Sequence, residues 1–121
     1  MFFLLNYLFS KKKGNERYKF NKSKLLKNDT SKNPIILVQV GAFNPITVLH
    51  TRLFYNARNI LEKKMNFKVL GGFISPANDG YQKEGLLNFK DRVRMTELAL
   101  KTTWMECQFP MFVCHHLSTS N

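Results

Sequence analysis

Residues 38–50 read VQVGAFNPITVLH. The apolar run Ile35–Val40, IILVQV, leads into this stretch. A continuous β-branched run of that kind suits a strand buried on both faces. The strand breaks at Gly41, passes a turn holding Pro45, and meets Thr47, a good helix N-cap. From there TVLHTRLFYNARNILEKK carries a helical pattern. Its apolar stripe is expected through Leu49, Leu53, Ala57, Ile60 and Leu61.

Working outward, Phe67–Ser75 (FKVLGGFIS) reads as a second strand with glycines near its middle. The following SPANDGYQKEG is dense in Pro, Asn, Asp and Gly and reads as a loop. Asn88 with Asp91 three residues on resembles a capping box. It should open a helix running to about Thr102, with Phe89, Val93, Leu98 and Leu100 among its apolar positions. Beyond Trp104 the pattern fails, apart from a short strand expected at Met111–Cys114. Strand, helix, strand, loop, helix is a βαβα unit. The expected fold class is α/β, a partial Rossmann-like parallel sheet with right-handed crossovers, half of a doubly wound domain.

The chain has 121 residues, 44% of them hydrophobic, and a net charge of +11. That charge is uneven. Residues 1–32 hold nine Lys/Arg against two acids, whereas residues 33–121 hold ten against six. The basic excess therefore belongs mostly to the N-terminal extension. Its start, MFFLLNYLF, falls far short of the roughly 20 apolar residues a membrane span needs. No basic residue precedes it and no small-residue cleavage site follows, which argues against a secretory signal. Residues 1–34 are expected to be a basic, disordered extension. Membrane or nucleic-acid binding by residues 1–32 is not favoured, because a lysine run is usually a solvated one. Cys107 and Cys114, with His115 and His116, do not match the short paired spacings of structural zinc, so no metal site is expected.

In open α/β sheets ligands bind beyond the carboxyl ends of the strands. Gly41 stands at such an end and lets a ligand approach the backbone closely. The helix start beyond it offers unpaired N–H groups and the positive end of a dipole, a seat for phosphate. His50, three residues after the N-cap, adds a donor there. The alternative is that His50 caps or packs at the helix end and Gly41 serves only the turn. Spacing alone leaves the two readings level, since G-x-F-x-P is neither the dinucleotide fingerprint nor a Walker loop.

GAFNPIT-VLH-TRLF, then GGFISPANDGYQKEGL, then DRVRMTELAL, together resemble the eukaryotic nicotinamide mononucleotide adenylyltransferases of the HxGH nucleotidyltransferase superfamily. The likeness covers roughly Ile35 to Glu106. Ala42 replaces the family's serine, and Thr47 stands where bacterial relatives carry a first histidine. The resemblance implies transfer of AMP from ATP to nicotinamide or nicotinate mononucleotide. The products would be NAD or deamido-NAD and pyrophosphate, with Mg2+ on the phosphates. It implies that Gly41, Ala42 and Phe43 line the site with backbone and ring. His50 would donate to the ATP phosphates as the catalytic residue, and Lys83 would reach them from the 75–85 loop. There Glu84 replaces the second lysine of a family pair.

Arg92 lies in the family's helix motif, with a structural role as open as a ligand role. After Trp104 the family's Val-Asp-x-Trp-Glu segment gives way to Cys107-Gln-Phe-Pro110. The expected organisation is therefore residues 1–34 as extension, 35–106 as the N-terminal half of a nucleotidyltransferase domain, and 107–121 as a divergent tail. That organisation describes a truncated or alternatively spliced member. The implied partners are ATP, the mononucleotide and, through full-length subunits, a homo-oligomer. The expected compartment is nuclear or cytoplasmic. Two other readings stand beside this one: a non-catalytic fragment acting by subunit association, and a basic binding module.

Overall fold

The computed structural model describes residues 2–6, 25–27, 31–80, 84–107 and 110–113. The elements in chain order are β1 (Phe2–Asn6), β2 (Asn33–Gly41), α1 (Val48–Lys64), β3 (Phe67–Pro76), α2 (Phe89–Cys107) and β4 (Met111–Val113). They form one sheet in the order β1-β2-β3-β4. β2, β3 and β4 run parallel, as the βαβα pattern requires. Both helices pack on one face of the sheet, which is what two crossovers of the same hand produce.

β2 and β3 are the centre of the sheet, and their residues divide between its two faces. Ile35, Leu37, Val69 and Ile74 meet Phe54 and Leu61 of α1 and Leu100 of α2. Ile36, Val38, Leu70 and Phe73 face the other way, against Leu25, Leu26 and Phe112. A register shift opposite Ile35 and Ile36 marks a bulge in β3, which turns Leu70 and Gly71 to the same side. Gly71 is glycine because of crowding. A Cβ there would stand 2.7 Å from Leu25 Cδ2 and 3.2 Å from the Pro110 carbonyl. That carbonyl accepts the Gly72 N–H at 2.8 Å and sets β4 against β3.

Three expectations change. Residues 1–34 are not wholly without structure. Phe2–Asn6 pairs antiparallel with Gln39–Ile35 on the outer edge of β2. Leu26 donates to Leu70 O at 2.9 Å and packs with Leu25 on the face opposite the helices. The pairing closes what would otherwise be an open edge of β2. The short strand expected at Met111–Cys114 is present as Met111–Val113 and supplies the last parallel strand. α2 continues to Cys107 rather than ending near Thr102.

The third change concerns the helix faces. On α1 only Phe54, Leu61 and, in part, Ala57 face the core, while Leu49, Leu53 and Ile60 are exposed. Glu62 explains which way α1 is turned. Its Oε1 accepts the Val69 N–H at 3.1 Å, so that flank of the helix leans on β3 and the opposite flank is left to solvent. On α2 Leu98 is exposed, whereas Val93 and Leu100 are buried as expected, together with Arg92 and Thr96. Thr96 can lie there because its hydroxyl donates to Arg92 O at 2.8 Å.

Candidate phosphate-binding site

The site is the crevice at the carboxyl ends of β2 and β3. The Ala77 N–H donates to Gly41 O at 2.8 Å and ties the two strand exits together. Gly41 needs no special backbone angle. A Cβ on it would meet nothing closer than the Phe43 ring at 3.5 Å, an ordinary contact. The protein itself therefore does not demand glycine at 41.

Phe43 adopts a left-handed backbone with φ of 47°, uncommon for a bulky residue. The turn directs its ring inward, where it is 3% exposed. The ring stands edge-on to His50, with centroids 5.1 Å apart. So Phe43 props the site from beneath, and only its backbone and that of Ala42 remain to line it. This differs from the expectation that its ring faces the ligand.

α1 begins at Thr47, whose extended backbone (φ −125°, ψ 167°) makes it the N-cap. The Thr47 N–H donates to His50 Nδ1 at 2.8 Å, and Thr47 Oγ1 lies 3.0 Å from the same nitrogen. This is a capping box with histidine in the usual Glu/Gln place. A main-chain N–H can only donate, so Nδ1 must be bare and the proton sits on Nε2. Burial holds the His50 pKa below its ordinary value, so the ring is neutral at pH 7. The helix start thus presents a neutral imidazole fixed in one tautomer, with Nε2–H as its donor. Gln39, two residues before Gly41 on the same face, carries a buried Oε1 that meets no donor among the described residues.

Three polar side chains fasten the loop between β3 and α2 over this turn. Asn44 Nδ2 donates to Gly85 O at 3.0 Å, and Asn44 Oδ1 accepts the Leu87 N–H at 3.0 Å. Arg92 donates through Nε to Leu87 O at 2.7 Å and through Nη1 to Ala42 O at 2.8 Å. Asp79 Oδ1 accepts the Phe89 N–H at 2.7 Å and lies 3.4 Å from Arg92 Nη2. Asn88 caps α2: its Oδ1 accepts the Asp91 N–H at 2.9 Å and its Nδ2 donates to Asp91 at 2.8 Å. Gly85, with φ of 74°, is a position where glycine is needed for the turn.

Gly41, Ala42, Phe43 and His50 lie together at this turn and helix start. Glu84 is exposed, next to the anchored Gly85. Lys83 lies outside the described residues, as do Cys114, His115, His116 and the side chain of Cys107. Sequence reasoning missed Asn44 and Asp79. Their partners are distant in the chain, and the only local signal was an Asx residue in each of two turns. Among the described residues no group of three His, Cys, Asp or Glu gathers that could hold a metal ion.

Residues 38–110 match the family model described as cytidylyltransferase-like. Nicotinamide/nicotinic acid mononucleotide adenylyltransferase 1 of Saccharomyces cerevisiae is 43% identical over 90 residues, which is 73% of this chain and 22% of that protein. The Schizosaccharomyces pombe protein named nicotinamide/nicotinic acid mononucleotide adenylyltransferase is 41% identical over 93 residues, 71% of this chain and 25% of that one. Nicotinamide/nicotinic acid mononucleotide adenylyltransferase 1 of Bos taurus is 42% identical over 79 residues, covering 64% and 28%. The chain thus matches about a quarter of the length of these curated relatives.

Proposed function

Because the chain belongs to the cytidylyltransferase-like family, we propose that it carries the phosphate seat of a nucleotidyltransferase of NAD biosynthesis. The substrates of this reading are those named for its relatives, nicotinamide or nicotinate mononucleotide, together with ATP. In the reaction an oxygen of the mononucleotide 5′-phosphate forms a bond to the α-phosphorus of ATP. The bond from that phosphorus to the bridging oxygen of the β-phosphate breaks, and pyrophosphate leaves with the electron pair.

The observation that carries the reading is the Thr47–His50 box above the Gly41 turn. A polyphosphate at the N-terminus of α1 would meet the helix dipole, the open N–H groups and the Nε2–H of His50. An arriving anion favours a protonated ring. Protonation at Nδ1, however, would set two donors against each other at Thr47. The box therefore keeps His50 a neutral donor, suited to steady charge that develops on the phosphoryl oxygens rather than to take a proton. Lys83 would add its charge from the loop.

Mg2+ usually keeps most of its water and binds through substrate phosphates and one or two carboxylates. A site with no three-carboxylate cage among the described residues is compatible with an ion that arrives on ATP. When bound, it would neutralise phosphate charge.

The test restores the length of the relatives. Residues 35–106 replace the matching stretch of the Saccharomyces cerevisiae protein, and NAD formation from ATP and the mononucleotide is measured. His50→Ala should lower kcat about 10²–10³-fold, the usual loss of one preorganised donor. Turnover within about threefold of the parent chimera would make His50 a helix cap and sink the reading.

A further inference from the structure

Arg92 is completely buried. Two of its three hydrogen-bond partners, Leu87 O and Ala42 O, are neutral carbonyls. They orient the guanidinium but do not neutralise it. The face of Phe89, 5.8 Å from Cζ, offers a weak cation–π contact. Among the described residues the only carboxylate on Arg92 is that of Asp79, at 3.4 Å. This is a long ion pair, and Asp79 has 61% of its side chain in solvent. A solvated carboxylate at that distance offsets little of a buried cation's charge. The result is an under-neutralised positive charge directly beneath the Ala42–Phe43 peptide.

That peptide lies in the turn that would receive phosphate. A cation on its carbonyl oxygen polarises the amide, so the N–H at its far end, on Phe43, becomes a stronger donor. We propose that Arg92 is a positioning residue for bound polyphosphate. It acts through the Ala42–Phe43 peptide and through its own field, and Asp79 tunes the seat by neutralising part of that field. This rests on the phosphate-seat reading. It goes beyond that reading by assigning the strength of the seat to a pair of residues that need not touch the ligand.

Replacing Arg92 would remove three hydrogen bonds that hold the loop, so loss of binding would report only on folding. Asp79→Asn is the sharper probe. Asparagine keeps an Oδ1 to accept the Phe89 N–H, and only the negative charge is lost. Removing any acid beside the seat also lessens direct repulsion of an anion, and Glu84→Gln, at an exposed acid of the same loop, measures that effect alone. If Arg92 merely staples the loop, Asp79→Asn tightens anion binding no more than Glu84→Gln does. If its charge serves the seat, Asp79→Asn tightens it clearly more.

The experiment titrates sodium tripolyphosphate, and separately adenosine, into the full chain and its Asp79→Asn and Glu84→Gln variants at low and high salt, by calorimetry. Thermal melts of all three proteins accompany the titrations. The expected result is tripolyphosphate affinity about three- to tenfold higher in Asp79→Asn at low salt, shrinking as salt screens the charge. Adenosine binding and the melt should not improve. A gain in Asp79→Asn no larger than in Glu84→Gln, with the parent binding well, overturns the role of Arg92 and leaves the phosphate seat standing. A parent chain that does not bind tripolyphosphate at all overturns both.

Discussion

Gly41→Ala separates what the fold needs from what the ligand needs. The added Cβ would sit 3.5 Å from Phe43 Cζ and 3.6 Å from Cε2, ordinary van der Waals distances. The backbone at 41 is not left-handed, so alanine brings no strain there. At such a position Gly→Ala commonly stabilises by about 0.4–1 kcal/mol, by restricting the unfolded chain. In a domain of this size that corresponds to a rise in Tm of roughly 2–8 °C. A ligand pressed against the backbone, by contrast, would collide with the new methyl group. Gly41→Ala should therefore melt at the parent temperature or higher and bind ATP at least about tenfold more weakly, a loss of about 1.4 kcal/mol. Urea unfolding and an ATP titration on the same preparation measure both quantities. Two results would refute the reasoning. One is a variant destabilised by more than about 1 kcal/mol, which would mean that the turn itself requires glycine. The other is a variant that binds ATP as the parent does.

Burial lowers the His50 pKa, so protonation costs the folded state more than the unfolded one. Its contribution to stability is complete above the ordinary imidazole value of 6.5 and is lost as pH falls through the folded value below it. Urea midpoints measured between pH 7.5 and about pH 5 should fall in the parent, and fall less in His50→Asn, which cannot titrate. Parallel slopes would mean that the partial burial of His50 does not lower its pKa. Gly71→Ala drives a Cβ against Leu25 Cδ2 and the Pro110 carbonyl, and should cost about 1–3 kcal/mol in urea unfolding. Adding Leu25→Ala should recover only part, because the carbonyl remains. Glu84→Lys reverses a charge beside the anchored Gly85. It should tighten ATP binding at low salt and lose that advantage near 1 M, where screening extends only about 3 Å. An affinity unchanged at low salt would place Glu84 away from the phosphates.

The features legible in the sequence were those with a local cause. The apolar run of β2, the Thr47 cap and the Asn88–Asp91 box each depend on residues within a few positions of one another. Observed strands and helices begin at or within two residues of where those signals place them. The choice of buried flank was not legible on α1. Leu49, Leu53 and Ile60 satisfy a helical period as well as Phe54 and Leu61 do. Contact with β3, fixed by Glu62 and Val69, decided between the two flanks. On α2 the buried stripe contains Arg92 and Thr96, which an apolar pattern passes over. Arg92 is inside because three acceptors from two other segments converge on it. β1 pairs with β2 across some 30 residues of sequence, and no pattern in MFFLLN names its partner.

The site was legible at its strand end and helix start and illegible at its roof. Asn44 finds Gly85 and Leu87 more than 40 positions away. Only the folded chain brings them together. Phe43 was visible as part of the motif, but the inward course of its ring follows from a left-handed backbone that the sequence does not announce.

The most direct measurement is long-range 1H–15N NMR of the His50 ring in the full chain at pH 7, before and after addition of ATP. His50→Asn assigns the signals. The account predicts a neutral ring with its proton on Nε2 in the free protein. ATP should then shift the Nε2–H resonance while Nδ1 stays bare. A free ring protonated at Nδ1, or an Nε2–H resonance that ATP does not move, would contradict it.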